Sequence, residues 1–118
     1  MQCLQIKIIQ SDTILTDNSK IQLGIASDLT IQHDGSHSYI TDSGSGQLRL
    51  QASTFSVENA AGGENLILAN SDGAVTLYHN NTARLNTHAD GVENTGKLYM
   101  GDDKNIELGT SQLSLIHI

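Results

Sequence analysis

Strict alternation of polar and apolar residues is the feature that most constrains how this chain can fold. Successive side chains of a β-strand point to opposite faces of a sheet, so a period of two predicts strands with one apolar face and one wet face. A convincing helical period is not found in any segment. The sequence therefore predicts an all-β fold, with strands in the alternating runs Gln5–Ile8, Lys20–Leu23, Asp28–Ile31 and Gln47–Leu50.

Further short strands and turn dipeptides extend this pattern along the chain. Strands are also predicted at Thr54–Glu58, Asn65–Ala69, Ala74–Tyr78, Ala83–Asn86 and Asn105–Leu108. Several strands are separated by the turn dipeptides Asp34-Gly35, Gly62-Gly63, Asp72-Gly73 and Asp90-Gly91. Asp-Gly favours a two-residue hairpin, because both central positions accept a positive φ.

The scarcity of aromatic side chains limits the core that the chain can build. Aromatic residues make up 3% of the 118 residues, and apolar residues 37%. Compact domains use aromatic side chains to bury large areas, so this composition favours a thin structure or a core shared between chains. We therefore expect short strands and hairpins in an elongated, β-solenoid-like or intertwined fibre repeat, whose levels contact mainly their neighbours.

An internal repeat supports a modular organisation. The run Asp17–Gly24 reappears 85 residues later as Asp102–Gly109, with the same order of polar turn, alternating strand and glycine. Repeats of this kind are typical of modular arrays. We predict that residues 1–16 end a preceding β segment, that 17–100 form one β-repeat module, and that 101–112 begin a second, truncated repeat.

Three runs resemble a recurrent module in structural proteins of marine tailed phages, especially cyanophages. That module has the form D-N-K-K-I-x-L-G, then D-L-x-I-Y-H-D-G-S-x-S-Y-I, then D-G-A-V-x-L-Y-x-N. The matching runs are Asp17–Gly24, Asp28–Ile40 and Asp72–Asn80. Gln32 departs from the pattern, which often has Tyr at that position; the change removes an aromatic ring and keeps the alternation.

The resemblance implies a structural segment of a phage virion appendage of the tail-fibre type, made in the host cytoplasm and located in the virion tail. It implies no catalytic residues, and it implies self-association as a homotrimer, which is usual among phage fibres. Exposed turns on a rigid scaffold commonly carry recognition, so we also expect a contribution to attachment through a host cell-surface glycan. Two alternatives stay open: a glycan-binding, adhesin-like module and a polysaccharide depolymerase.

The run Leu113–Ile118 resembles the in-frame translation of an adapter used in sequencing libraries. The Asp that would open the next Asp-Leu strand is missing before it. We interpret residues 113–118 as a non-native tail on a metagenomic fragment. The alternative is a genuine apolar strand, in which Leu113-Ser114-Leu115 stands for Leu29-Thr30-Ile31.

Charge and apolar runs exclude several classes of partner. The formal net charge is −7, and the six Lys and Arg residues are scattered singly. Because the chain has no basic stripe, we expect neither nucleic acid nor an anionic membrane surface as a partner. No apolar run reaches the roughly 18 residues of a membrane span, so we expect no membrane insertion. Cys3, the single cysteine, is interpreted as an incidental thiol.

Candidate metal ligands are explained at least as well by turns. His33 and His37 flank the predicted Asp34-Gly35 turn, and Asp42–Gly46 and Asp102–Asp103 are oxygen-rich. Neither oxygen-rich run fits a calcium-binding loop. One alternative stays open, in which copies of one histidine meet on a symmetry axis and bind a metal. We predict no metal site and no cofactor.

The carboxylates and glycines likewise favour structural roles over catalysis. Asp34, Asp72 and Asp90 each precede glycine, and aspartate in turns bonds nearby backbone. A glycosidase needs two carboxylates across a set gap, and a sugar site usually adds aromatic platforms, which the chain nearly lacks. The run Gly44–Gly46 lacks the Gly-Lys-Ser/Thr of a phosphate loop. We therefore predict no catalytic or cofactor-binding residues and no enzymatic activity.

Overall fold

The computed structural model describes residues 12–104 and 106. The regular elements in these residues are all β-strands, as the alternation predicts. Eight strands form two antiparallel sheets, one of three strands and one of five. The described part of the chain has no helix with the length and apolar character that a membrane span requires. The β-solenoid-like or intertwined arrangement stays a prediction.

The chain divides between Arg49 and Leu50 into two compact units, each with one sheet. In both sheets, each strand pairs with the strands next to it in sequence, so each sheet is a meander of hairpins. The division falls inside the predicted module 17–100, whose bounds stay a prediction. The predicted tail 113–118, most of residues 1–16 and most of 101–112 lie outside the described residues.

The sheet of the first unit contains β1 (Lys20–Leu23), β2 (Leu29–His33) and β3 (Ser38–Asp42), with β2 in the centre. In its register, Ile31 lies opposite Ile21 on one side and opposite Ile40 on the other. Directly opposed residues of antiparallel strands share a face of the sheet. The alternation along each strand therefore collects aliphatic residues on one face.

The sheet of the second unit contains five strands in sequence order. They are β4 (Thr54–Glu58), β5 (Asn65–Asn70), β6 (Val75–His79), β7 (Thr82–His88) and β8 (Gly91–Asn94). The register shifts at Val57/Glu58 and at Leu77/Tyr78. Such bulges bend the strand and increase its local twist.

Most predicted strands within the described residues are confirmed, with small changes in their bounds. The prediction for Gln47–Leu50 is wrong: the run is not a strand, because it has no strand partner in the described part of the chain. The strands β3 and β8 were not predicted from the alternation. The predicted strand Gln5–Ile8 lies outside the described residues, as does Asn105–Leu108 except for Ile106.

The Asp-Gly dipeptides lie in hairpin connections, but none of the three forms the predicted two-residue turn. Asp34-Gly35 lies in a four-residue loop between β2 and β3, where only the glycine has a positive φ. At Asp72-Gly73 it is Asp72 that has the positive φ, of 56°. Gly91 is the first residue of β8, so the two-residue connection there is Ala89-Asp90. The predicted positions of the hairpins are therefore correct, whereas the predicted two-residue geometry of their loops is wrong.

A two-residue turn with two positive φ angles occurs instead at Asn80-Asn81. These residues have φ of 49° and 55° and join His79 to its partner Thr82. Two left-handed central residues define the type I′ turn, whose twist matches that of the flanking strands. Asparagine tolerates this conformation better than most residues, so the Asn-Asn pair is a turn signal in its own right.

The two copies of the predicted internal repeat begin with the same turn. The amide of Ser19 donates to the carbonyl of Thr16 at 3.0 Å, and the amide of Lys104 donates to the carbonyl of Gly101 at 3.2 Å. The third residue of each turn is left-handed, with φ of 69° at Asn18 and 62° at Asp103. This shared geometry agrees with the internal repeat.

A hydrophobic core is missing from the residues that the structure describes. None of their apolar side chains is buried, and the one buried residue among them is Thr76, at 8% exposure. Protein domains normally bury the apolar face of a sheet against a second layer. Each described sheet therefore presents an aliphatic face that no second layer covers.

Candidate functional site

The aliphatic face of the first sheet is built around a cross-strand row of three isoleucines. Ile21, Ile31 and Ile40 lie directly opposite one another on β1, β2 and β3, and they are 41–61% exposed. A second row contains Leu23 and Leu29 and ends at Asp42 on β3. β-Branched side chains fit closely on a pleated surface, so these rows form a flat aliphatic surface, which we call face A (Ile21, Leu23, Leu29, Ile31 and Ile40).

The opposite face of the same sheet is polar. Its two rows are Lys20–Gln32–Tyr39 and Gln22–Thr30–Thr41. The sheet therefore has one side suited to water and one side suited to another apolar surface.

An open groove of about 460 Å³ runs beside the isoleucine row, and its lining includes Leu15.

The second sheet has the same two-sided construction on a larger scale. One row runs across four strands as Val57–Ile67–Leu77–Leu85 and ends at Asn94 on β8. The neighbouring row contains Phe55, Ala69 and Val75. Together these seven apolar residues, from Phe55 to Leu85, form face B. Its members are half-buried or exposed, so face B is an apolar patch at the surface of its unit.

Polar contacts support the other side of the second sheet. Thr76 lies between Leu68 and Asn86 in a row that begins at Ser56 and ends at Glu93. On the same face, the hydroxyl of Thr54 donates to the side-chain oxygen of Asn70 at 3.2 Å. This side is therefore mixed, because its polar groups can bond to one another and to water, whereas Leu68 lies in the same row.

A carboxylate organises the hairpin between β2 and β3. Oδ1 of Asp34 accepts the backbone N–H groups of Ser36 at 2.9 Å and His37 at 2.7 Å, and Oδ2 accepts the hydroxyl of Tyr39 at 2.9 Å. These bonds favour the charged carboxylate, so the pKa of Asp34 lies below its usual value, chiefly through the His37 amide. The same contact raises the pKa of Tyr39. Asp34 is thus a turn residue, as its position before glycine predicts.

The two histidines of this hairpin point to different partners. Nδ1 of His33 lies 3.1 Å from the hydroxyl of Ser38, at the end of face A. His37 lies in the loop, with its Nδ1 3.9 Å from Asp34. Among the described residues, no three His, Cys, Asp or Glu side chains come together as a metal site. A metal shared between copies of the chain stays a prediction, and Cys3 lies outside the described residues.

The oxygen-rich runs act as turns in the structure. Oδ1 of Asp42 accepts the amide of Gly44 at 3.0 Å, and Asp102 and Asp103 are the central residues of the Gly101–Lys104 turn. Asp34, Asp72 and Asp90 lie in three separate hairpin connections. Each of these carboxylates therefore has a place in the backbone geometry that requires no ligand.

A shallow concavity in the second unit combines polar groups with an aromatic ring. It is lined by His79, Arg84, Asn94, Gly96, Lys97 and Tyr99. The Tyr99 side chain is largely exposed. An exposed ring beside hydrogen-bonding side chains is the chemistry that a sugar surface can use.

The alternation predicts that each strand has an apolar face, but it does not give the rows in which these residues meet. Ile40 and Leu85 join their rows through the registers of the β2–β3 and β6–β7 hairpins, which the alternation along a single strand does not give.

Comparison of the chain with protein-family models, curated proteins and solved structures found no match.

Proposed function

We propose that this chain is a structural, self-associating segment of a tailed-phage appendage of the tail-fibre type. In this proposal, copies of the chain cover one another's faces A and B, and the polar faces remain in water. The virion placement rests on the phage-like runs Asp17–Gly24, Asp28–Ile40 and Asp72–Asn80. The self-association rests on the exposed aliphatic faces.

The observation that carries the proposal is the lack of buried apolar side chains in residues 12–104 and 106. Ordering the backbone costs about 1–2 kcal/mol per residue, and burial of apolar surface is the main term that offsets it. A single sheet layer supplies little burial, and isolated hairpins are marginally stable at best. A second layer on faces A and B would bury their apolar side chains and so offset the cost of ordering the backbone.

Sedimentation velocity of the full chain tests the self-association. We expect an oligomer for the wild-type chain and for Thr30→Asp, because Thr30 lies on the polar face of β2. Ile31→Asp places a charge at the centre of face A, where association would desolvate it, and we expect this variant to lose the oligomer. A monodisperse wild-type monomer that unfolds cooperatively would contradict the proposal.

Mass spectrometry of purified phage particles tests the virion placement. Tailed-phage particles that encode this chain should yield its tryptic peptides at the level of a tail component. Peptides found in the infected-cell lysate but missing from banded particles would overturn the placement while leaving the self-association untouched.

A glycan-binding module is a second candidate, favoured by the concavity beside Tyr99. Aromatic rings on a polar surface are common contacts in recognition sites. Binding of the assembled chain to host cell-wall polysaccharide, reduced by Tyr99→Ala and retained by Tyr99→Phe, would support this function. Equal binding by the wild-type chain and Tyr99→Ala would remove it.

A further inference from the structure

We propose that Gln47–Leu50 is a β-strand that forms only between copies, by adding to the edge of a sheet in a second copy of this chain. This inference rests on the proposed self-association and names a segment and a mode of contact for it. The recognising chemistry is backbone pairing at an open sheet edge.

The backbone of this segment lacks the partners that a strand needs. Runs with the same alternation, Lys20–Leu23 and Asp28–Ile31, lie in the paired strands β1 and β2. Within the described chain, no backbone group of residues 46–52 bonds to another backbone group. Leu48 and Leu50 are 47% and 62% exposed. Both the hydrogen-bonding groups and the apolar side chains of the segment are therefore available to a partner.

One side-chain contact agrees with an extended form of the segment. Nε of Arg49 donates to Oε1 of Gln47 at 3.3 Å. Residues i and i+2 share one side of a strand, whereas on a helix they do not face each other. The two polar side chains therefore lie together on one side, and the alternation assigns Leu48 and Leu50 to the other.

The composition of the segment differs from that of a flexible linker. The preceding residues, Ser43–Gly46, read Ser-Gly-Ser-Gly, which is typical of a flexible connection. Gln47–Leu50 has no glycine or serine and carries two leucines. A connection alone does not require this pattern, whereas an edge-pairing strand does.

The same arrangement recurs after the second sheet. Gly96 is followed by Lys97–Met100, in which Lys97 and Tyr99 alternate with Leu98 and Met100. This run also has no strand partner among the described residues, and its apolar side chains are exposed. Each sheet is thus followed by a glycine and a short alternating run without a strand partner in residues 12–104 and 106.

Charge favours a second copy as the occupant. Arg49 and Lys97 are two of only six cationic residues in a chain of net charge −7. Three of the four outer strands carry one carboxylate each: Asp42 on β3, Glu58 on β4 and Glu93 on β8. Opposite charges on neighbouring strands stabilise their pairing, so the cationic runs complement the sheet edges of another copy.

Hydrogen–deuterium exchange of the assembled full chain tests the inference. Successive N–H groups of a strand point to opposite edges, so we expect the amides of residues 48–50 that face the paired edge to exchange on the order of 100-fold more slowly than the amides of Ser45 and Gly46, because hydrogen-bonded amides in strands are protected. Arg49→Pro and Leu50→Pro remove N–H groups on opposite edges of the segment, so one of the two should lower the oligomer fraction at least several-fold, with Leu50→Ala as the control for the lost leucine side chain. The matched variant Arg49→Ala keeps the N–H and should assemble like the wild-type chain.

The outcomes separate this inference from the proposed function. An oligomer in which every amide of residues 48–50 exchanges as fast as those of Ser45 and Gly46, or in which Arg49→Pro and Leu50→Pro both assemble normally, would overturn the edge-pairing strand and leave the self-association in place. A wild-type monomer would overturn both. Protection of residues 48–50 in a monomer would assign the partner to the same chain and would also overturn the inference.

Discussion

The phenol of Tyr39, the second residue of β3, donates a hydrogen bond to Oδ2 of Asp34 at 2.9 Å, and Asp34 lies in the loop that precedes this strand. Oδ1 of the same carboxylate accepts two backbone N–H groups of the loop, from Ser36 and His37. One side chain thus holds both the loop backbone and the adjoining strand. Because β3 supplies Ile40 to face A, this turn also positions part of the aliphatic surface.

Substitution of Asp34 should destabilise the first unit in a graded way. Asp34→Ala removes the acceptor of all three hydrogen bonds, and Asp34→Asn keeps an oxygen for the backbone amides but loses the charged acceptor. We expect the midpoint of thermal unfolding to fall in the order wild type, Asp34→Asn, Asp34→Ala. Circular dichroism melts measure this order. Asp72→Asn is the matched control, because asparagine tolerates the left-handed φ of 56° at that position.

The Asp34–Tyr39 pair should make stability depend on pH at both ends of the range. The pKa of Asp34 is lowered from 3.8, first by the His37 amide and then by Ser36 and Tyr39. A lowered folded-state pKa contributes stability above the unfolded-state value, and this stability is lost as the pH falls through the folded-state pKa. The pKa of Tyr39 is raised from 10.0 by Asp34. Its contribution is therefore complete below that value and is lost as the pH rises through the higher folded-state pKa.

Tyr39→Phe separates these contributions from the rest of the chain. We expect the difference in melting temperature between the wild-type chain and Tyr39→Phe to be constant from about pH 5 to pH 9. It should shrink below about pH 4 and above about pH 10, where one partner changes its charge. A difference that stays constant from about pH 3 to pH 11 would remove the pair from the account of stability.

Alternation along the sequence was enough to find the interior strands, because it is a local property of each run. It missed β3 and β8, which are edge strands with few apolar residues: Ile40 and Tyr39 in one, Val92 in the other. Their strand conformation depends on pairing with β2 and β7, which is a non-local property. Gln47–Leu50 shows the opposite: its residues alternate like those of a strand, but the run has no strand partner in the described chain and is not a strand there.

The candidate surface was predictable in kind but not in detail. Alternation predicts an apolar face, whereas the meeting of Ile21, Ile31 and Ile40 in one row depends on the register. Loop lengths set that register, and the Asp-Gly signal gave them incorrectly. A shift of one residue would turn the isoleucine of a strand to the opposite face.

Leu77 should be more important in the assembly than in the single chain. It lies in the central row of face B and is 41% exposed in the single chain. Truncating a half-exposed leucine costs about 1 kcal/mol, whereas Leu→Ala at a fully buried site costs about 2–5 kcal/mol. If a second copy covers face B, the melting temperature should rise with chain concentration. Leu77→Ala should then lower the stability by the amount typical of a buried leucine, about 2–5 kcal/mol, and not by the amount typical of a half-exposed one. Melts over a hundredfold range of concentration measure both effects, and a concentration-independent midpoint would contradict the covering of face B.

The Asn80-Asn81 turn should reject β-branched residues. Asn80 has a φ of 49°, and the left-handed region costs ordinary residues about 1–2 kcal/mol. We therefore expect Asn80→Val to destabilise the second unit by about that amount or more, and Asn80→Gly to be close to neutral. Chemical denaturation of both variants measures the difference. Equal midpoints would show that the turn relaxes to another geometry.

The matching turns at the two ends of the predicted repeat should be interchangeable. Asn18 and Asp103 hold the same left-handed position, and in the first turn the amide of Asn18 also donates to the carbonyl of His33 at 2.8 Å. These two contacts are made by backbone atoms, so replacing residues 16–19 by the sequence Gly-Asp-Asp-Lys of residues 101–104 should preserve them, and only the 3.3 Å contact between the hydroxyls of Thr16 and Ser19 is lost. We expect the exchanged chain to keep its oligomeric state and most of its stability, whereas Asn18→Val should lose about 1–2 kcal/mol through its positive φ. Sedimentation velocity and denaturant unfolding measure the two outcomes, and an exchanged chain less stable than Asn18→Val would show that the two turns share only their backbone trace.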